Sequence, residues 1–280
     1  MTVRVLVDST ADIPPARARE LGIEVVPLTV HFGDETFHDG VDLDGEGFYR
    51  RLRTSHVLPT TSTPPPALFE EVYRKLIAQG ATGILAMHIG SDLSATYSVS
   101  TTAARAVIAE TGIPIEVIDS RQVSAGCGLP AEIVAAEAKD GATLADLKAH
   151  AENLLHRVHL VAVLDTLEFL QRGGRIGRSK AFLGTVLNVK PLLEVRDSAV
   201  HPLEQVRTSG KARERLGQIV AGLGQLEAVA IAQSDDYTGQ QLLSVVRQFW
   251  NGPVEIFSLG PVVGTHTGPG AGAIIAITRQ

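Results

Sequence analysis

The chain has 280 residues, 44% of them hydrophobic and 20% charged, with a net charge of −6; this excludes a disordered chain, and the acidic balance with only 5% aromatics argues against a nucleic-acid binder. The length suits two domains or one large α/β unit. Cys127 is the single cysteine, so an intrachain disulfide is excluded; with an N-terminus that runs straight into Val3–Val7 and no apolar run of about 18 residues, a cytoplasmic protein is expected.

Residues 3–7 read as a buried β-branched strand, stopped by Asp8, Ser9, Asp12 and Pro14, whose cap and turn chemistry introduces a helix near Pro14. Residues 23–31 predict a second strand, and 33–40 a hairpin-like return. The run 58–66 is expected to break all regular structure. Its prolines stiffen it and hold the preceding hydroxyls, Thr61 and Ser62 among them, at little entropic cost. Apolar residues from Leu68 to Ile77 then recur at helical spacing.

Residues 83–89 predict another buried strand, which delivers Ser91, Ser94 and Thr96 to a helix start where free N–H groups and the positive dipole end favour an anion. A strand over 115–120 and a helix from about 125 to 139 repeat the pattern, so a parallel sheet of right-handed βαβ units is expected. After the polar helix around 143–156 the texture changes. The expected division is therefore an N-terminal parallel-sheet α/β domain over 1–156 and a C-terminal mixed-sheet α/β domain over 157–280, with a ligand between or beneath them. The second domain begins with a strand over 160–164 and a short helix from Asp165. Next come a basic glycine-rich loop over 171–180 and short strands near 192–195 and 200–206. A helix over 212–223, a strand over 227–232, a helix over 238–250 and strands over 254–258 and 273–278 complete it.

The last distinctive stretch is Leu259–Gly272. Gly264, Gly268, Gly270 and Gly272 around Pro269 predict a loop in unusual dihedrals that presents Thr265, His266 and Thr267. A dinucleotide fingerprint does not fit, because a strand-like run and not a helix follows the glycines. If the hydroxyl-bearing loops converge, they bring together Thr61 or Ser62, Ser94, Thr265 and His266, with no lysine or arginine close to the hydroxyls in those loops. Neutral donors with one histidine suit a small monoanion such as a carboxylate. The apolar strands behind them suit a hydrocarbon chain.

Catalytic signatures are weak. His156 and His159 lack companions at metal-ligand spacing, no G-x-S-x-G elbow or phosphate loop occurs, and Cys127 reads as a small buried thiol. The alternative to a binding protein is an enzyme acting on a small carboxylate or phosphorylated substrate, with His266 as general base.

Taken together the motifs resemble the DegV family of bacterial fatty acid-binding proteins, whose kinase-linked members are called FakB. The resemblance lies in Asp8–Pro14, Thr61–Pro64, Ser91–Tyr97, Leu167–Ile176, Lys190–Leu193 and Gly264–Gly270, in family order over nearly the whole chain. It implies a carrier and not an enzyme, with no cofactor. Such a carrier sequesters a long-chain fatty acid such as palmitate and presents its carboxylate to a separate fatty acid kinase, which makes the acyl phosphate for phospholipid metabolism. Transient membrane contact would serve lipid exchange. Carried over residue by residue, Thr61 or Ser62, Ser94 and His266 look like carboxylate ligands, and Arg172, Arg175 and Arg207 look like the kinase-facing surface. Charge reversal at Arg172 and Arg175 is then expected to reduce kinase coupling while lipid binding persists. Two departures from the family pattern bear on loop shape: Ala95 stands where glycine is usual, and Pro65 and Pro66 replace the usual serine and its neighbour.

Overall fold

The computed structural model describes residues 2–182 and 189–279. The chain runs β1 (Val3–Asp8), α1 (Pro15–Leu21), β2 (Glu24–Val26), β3 (Thr29–Phe32), β4 (Glu35–His38), α2 (Gly45–Thr54), β5 (Thr60–Ser62), α3 (Pro66–Ala78), β6 (Gly83–His88), α4 (Thr96–Thr111), β7 (Ile115–Asp119), α5 (Ala125–Lys139) and α6 (Leu144–His156). It continues with β8 (Val158–Val163), α7 (Glu168–Arg172), β9 (Lys190–Arg196), β10 (Ala199–Val206), α8 (Ser209–Ala221), β11 (Leu226–Gln233), α9 (Asp236–Val246), β12 (Val254–Ser258), α10 (Pro261–Thr267) and β13 (Gly272–Thr278).

The fold is α/β, as expected. A parallel four-stranded sheet has the order β2-β1-β6-β7, and a mixed six-stranded sheet the order β10-β9-β8-β13-β11-β12. A third, antiparallel sheet, β4-β3-β5, is added to the first half. Burial on both faces makes residues 5–7 of β1 and 83–87 of β6 continuous apolar runs. Val5, Val7, Leu85 and Met87 face one core, while Leu6, Ile84 and Ala86 face a second core with Phe69 and Tyr73 of α3.

The six-stranded sheet divides its side chains by the same two-residue period. Val161, Val163, Ile231 and Ile274 pack under α8 and α9. Leu160, Ala230, Ala232, Ala273 and Ile275 turn the other way and join the core that also holds Val5, Val7 and Met87. The two large sheets thus share one apolar interior.

Three expectations need correction. Residues 23–31 are two strands, because Pro27 has no N–H to continue the ladder; β2 pairs parallel with β1, and β3 starts the antiparallel sheet. Residues 58–66 do contain regular structure, since Thr60–Ser62 pair with Thr29–His31 as an edge strand. Residues 261–267 form a helix and not a loop, with Pro261 in its first turn, where a missing N–H is harmless. Of Gly264, Gly268, Gly270 and Gly272, only Gly268 and Gly270 have positive φ. The two family departures fit the backbone: Ala95 lies at φ −72°, which needs no glycine, and Pro65 and Pro66 occupy the N-cap and first turn of α3.

Candidate functional site

An apolar cavity opens between the large sheets. Its room comes from small side chains in register. Ala162 on β8 lies opposite Ala273 on β13, which lies opposite Ala232 on β11, and all three line the cavity. Leu160, Leu193 and Val262 add branched apolar wall. The chemistry suits an alkyl chain.

The polar groups gather at the wall formed by β5, the β6–α4 connection and α10. Thr61 Oγ1 lies 3.0 Å from His266 Nε2, and Thr63 Oγ1 lies 3.4 Å from Ser94 Oγ. The Ser94 hydroxyl is also 2.9 Å from Thr96 Oγ1 and accepts from the Thr96 N–H at 3.3 Å. Thr61, Ser94 and His266 are therefore brought to one cavity.

Strand and helix periods separate the remaining candidates. Ser62, one residue along β5, is at the cavity rim, but its hydroxyl lies 3.0 Å from His31 Nε2 on the outer side of the small sheet. Thr265 is not brought to the cavity. It is buried on the opposite face of α10, where its hydroxyl donates to Pro261 O at 2.8 Å. Val262, Val263, His266 and Thr267 form the face that lines the cavity.

Burial, and then the nearby Arg175 charge, pulls the His266 pKa down to about 4, so the ring is neutral at pH 7. Among the described residues its buried Nδ1 has no hydrogen-bond partner. A buried N–H without an acceptor costs more than a bare lone pair, which assigns the proton to Nε2 and makes Thr61 Oγ1 the acceptor. The Thr61 hydroxyl proton is then free to serve a second acceptor.

The segment around α7 packs on α10 through bare glycines. A Cβ on Gly173 would lie 2.2 Å from His266 Nδ1, and one on Gly268 would lie 2.3 Å from Phe169. Arg175, on the turn after α7, lines the cavity. The expectation of a site without nearby basic side chains is therefore corrected: no hydroxyl-bearing loop carries an arginine, yet the chain fold brings one from 81 positions beyond Ser94. Arg172 is exposed and pairs with Glu168 at 2.8 Å on the surface of α7. Arg207 is exposed just beyond the end of β10.

Behind the cavity wall is a fully buried relay. Asp8 Oδ2 lies 3.0 Å from His88 Nδ1, His88 Nε2 lies 2.7 Å from Ser100 Oγ, and Ser100 Oγ lies 2.6 Å from Tyr73 OH. Asp8 and His88 are 1% and 0% exposed, so no substrate reaches them. Asp8 also accepts from the Thr10 and Ile89 amides, fixing two cavity-lining residues at the ends of β1 and β6. Among the described residues, no group of three or more potential ligands could hold a metal ion, and no helix is long and apolar enough to cross a membrane.

Comparison with known proteins gives this architecture a family. Residues 2–279 match the model of the DegV family, described as uncharacterised protein. This chain belongs to the DegV family. A DegV domain-containing protein of Streptomyces coelicolor is 33% identical over 282 residues, covering 99% of each chain. Among solved DegV structures, the fatty acid-binding DegV family protein of Thermus thermophilus superposes with a TM-score of 0.90 at 29% identity, covering all of both chains. DegV of Bacillus subtilis, a fatty acid binding protein, superposes with a TM-score of 0.87 at 29% identity, covering 99% of this chain and all of its own.

Proposed function

We propose that this DegV protein is a fatty acid carrier that holds a long acyl chain in the cavity and its carboxylate among Thr61, Ser94 and His266. The observation that carries this reading is the junction of a neutral hydroxyl–imidazole cluster with an apolar cavity. About 14 buried methylenes at ~0.8 kcal/mol each contribute on the order of 10 kcal/mol, enough to offset desolvation of one hydrogen-bonded carboxylate. The related Thermus and Bacillus proteins, which bind fatty acid, support the same ligand class here.

A carboxylate held by hydroxyls keeps more nucleophilic character than one clamped in a guanidinium fork. In this reading a separate ATP-dependent kinase phosphorylates it, docking on the exposed Arg172 and Arg207 together with Arg175. The carrier is cytoplasmic, where such a partner has its ATP, and touches membranes only to exchange lipid.

The test is mass spectrometry of the small molecules released when freshly purified protein is denatured. Near-stoichiometric fatty acid is expected, with chain length read directly. Ser94→Ala should keep the fold and weaken lipid binding by roughly 1.5–3 kcal/mol, the value of a hydrogen bond to a charged group. An empty protein that also refuses added fatty acid would overturn the carrier and favour turnover of a small polar substrate at His266.

A further inference from the structure

Arg175 joins two parts of the site that are distant in sequence. Its Nε donates to Leu93 O at 3.1 Å, immediately before Ser94. Its Nη1 donates to Gly173 O at 2.7 Å, on the residue whose bare Cα faces the His266 ring. The turn itself is fixed by backbone bonds from Gly174 N to Gln171 O at 3.1 Å and from Arg175 N to Leu170 O at 3.0 Å.

We propose that Arg175 is a positioning residue of the carboxylate site, stapling the turn after α7 to the Ser94 connection and so holding Ser94 and His266 at their mutual spacing. This rests on the carrier reading and deepens it: Arg175 serves the ligand site before any partner. Two carbonyls on separate segments are bridged by two different N–H groups of one planar fork, a geometry that a single ammonium centre does not reproduce. The positive charge beside the imidazole also adds to the larger effect of burial in lowering the His266 pKa. Arg172 touches neither segment through its ion pair with Glu168. The staple therefore alters the expectation from sequence, because reversing the charge of Arg175 should disturb lipid binding as well as any docking.

The experiment compares wild type with R175Q, R175K and R178Q; the last removes one charge from the same basic stretch. Amide hydrogen exchange over residues 91–96 and 170–176, and the NMR titration of the His266 ring, are followed in ligand-free protein. Palmitate affinity is then measured by displacement of a fluorescent fatty acid. R175Q should speed exchange in both segments, raise the His266 midpoint and lower palmitate affinity roughly tenfold, the loss of about one well-formed hydrogen bond at the site. R175K should restore the His266 midpoint but not the exchange protection, and R178Q should change none of the three. Unchanged exchange in R175Q overturns the staple, as does unchanged palmitate affinity when wild type binds. If wild type takes up no fatty acid, the carrier reading fails while the exchange and titration still decide the staple.

Discussion

At the scale of single residues the site depends as much on missing atoms as on functional groups. Gly173 has ordinary helical dihedrals, with φ −73°, so its identity is not a demand of the backbone. It is a demand of His266, whose Nδ1 occupies the volume of a Cβ at 2.2 Å. Gly173→Ala should leave the α7 turn helical but push the imidazole off Thr61. Palmitate affinity is then expected to fall by about 1 kcal/mol or more, as measured by displacement titration. Full affinity would show that the contact of His266 with Thr61 plays no part in holding the ligand. The same displacement should be visible in the titration of the ring. The His266 pKa, lowered from 6.5 to about 4, makes a contribution to stability that is fully present above pH 6.5 and is lost as pH falls toward 4, because the unfolded chain takes up the proton first. Moving the ring toward solvent should shrink that acid-side loss.

At the scale of elements, α10 is positioned from its other end by two buried carboxylates. Asp12 accepts the Gly260 N–H at 2.9 Å and a short hydrogen bond from Ser124 Oγ at 2.5 Å, and Asp39 accepts the Ser9 hydroxyl at 2.8 Å and the Val262 N–H. Burial pushes the Asp39 pKa up to about 7 and that of Asp12 well above its ordinary value. The sign is opposite to that of His266: a raised carboxyl gives its full stability below pH 3.8 and loses it as pH rises through about 7. Asp39→Asn retains an acceptor without the ionisation penalty, so it should gain roughly 1–3 kcal/mol at pH 8 and nothing at pH 4, followed by denaturant melts at both values. Equal destabilisation at both would show that the charged form is fully compensated. The sequence made the βαβ strands legible, since residues 5–7 and 83–87 are apolar on both faces, and it pointed to Thr61, Ser94 and His266, which the fold brings to one cavity. It concealed α10, because Gly264 and Pro261 read as loop residues. A Cβ on Gly264 would meet Phe48 at 2.6 Å, a contact across more than 200 positions that no local pattern carries. Arg175 was concealed likewise, since its partners Leu93 and Gly173 meet only in three dimensions.

At the scale of the whole molecule, the cavity is an interruption in the core that the two large sheets share. Thr10, Ile89 and Val123 line it from the first sheet and its connections, and Ala162, Ala232 and Ala273 from the second. A ligand that fills it would complete the packing of both halves at once. Binding to the folded state alone stabilises by RT ln(1 + [L]/Kd), about 2.7 kcal/mol at a free ligand concentration 100 times Kd. Delipidated protein should therefore melt several degrees lower than protein with palmitate restored. The mechanism makes a finer demand than the shift itself. Because the apolar contacts come from both sheets, palmitate should raise hydrogen-exchange protection together in β1 and β6 and in β8, β11 and β13. Protection confined to the six-stranded sheet would mean that the chain lies against one half only, and the shared core would then be closed without it. Octanoate, too short to span the same wall, should protect the Thr61–His266 end and leave most of the sheet interior exchanging as in the empty protein.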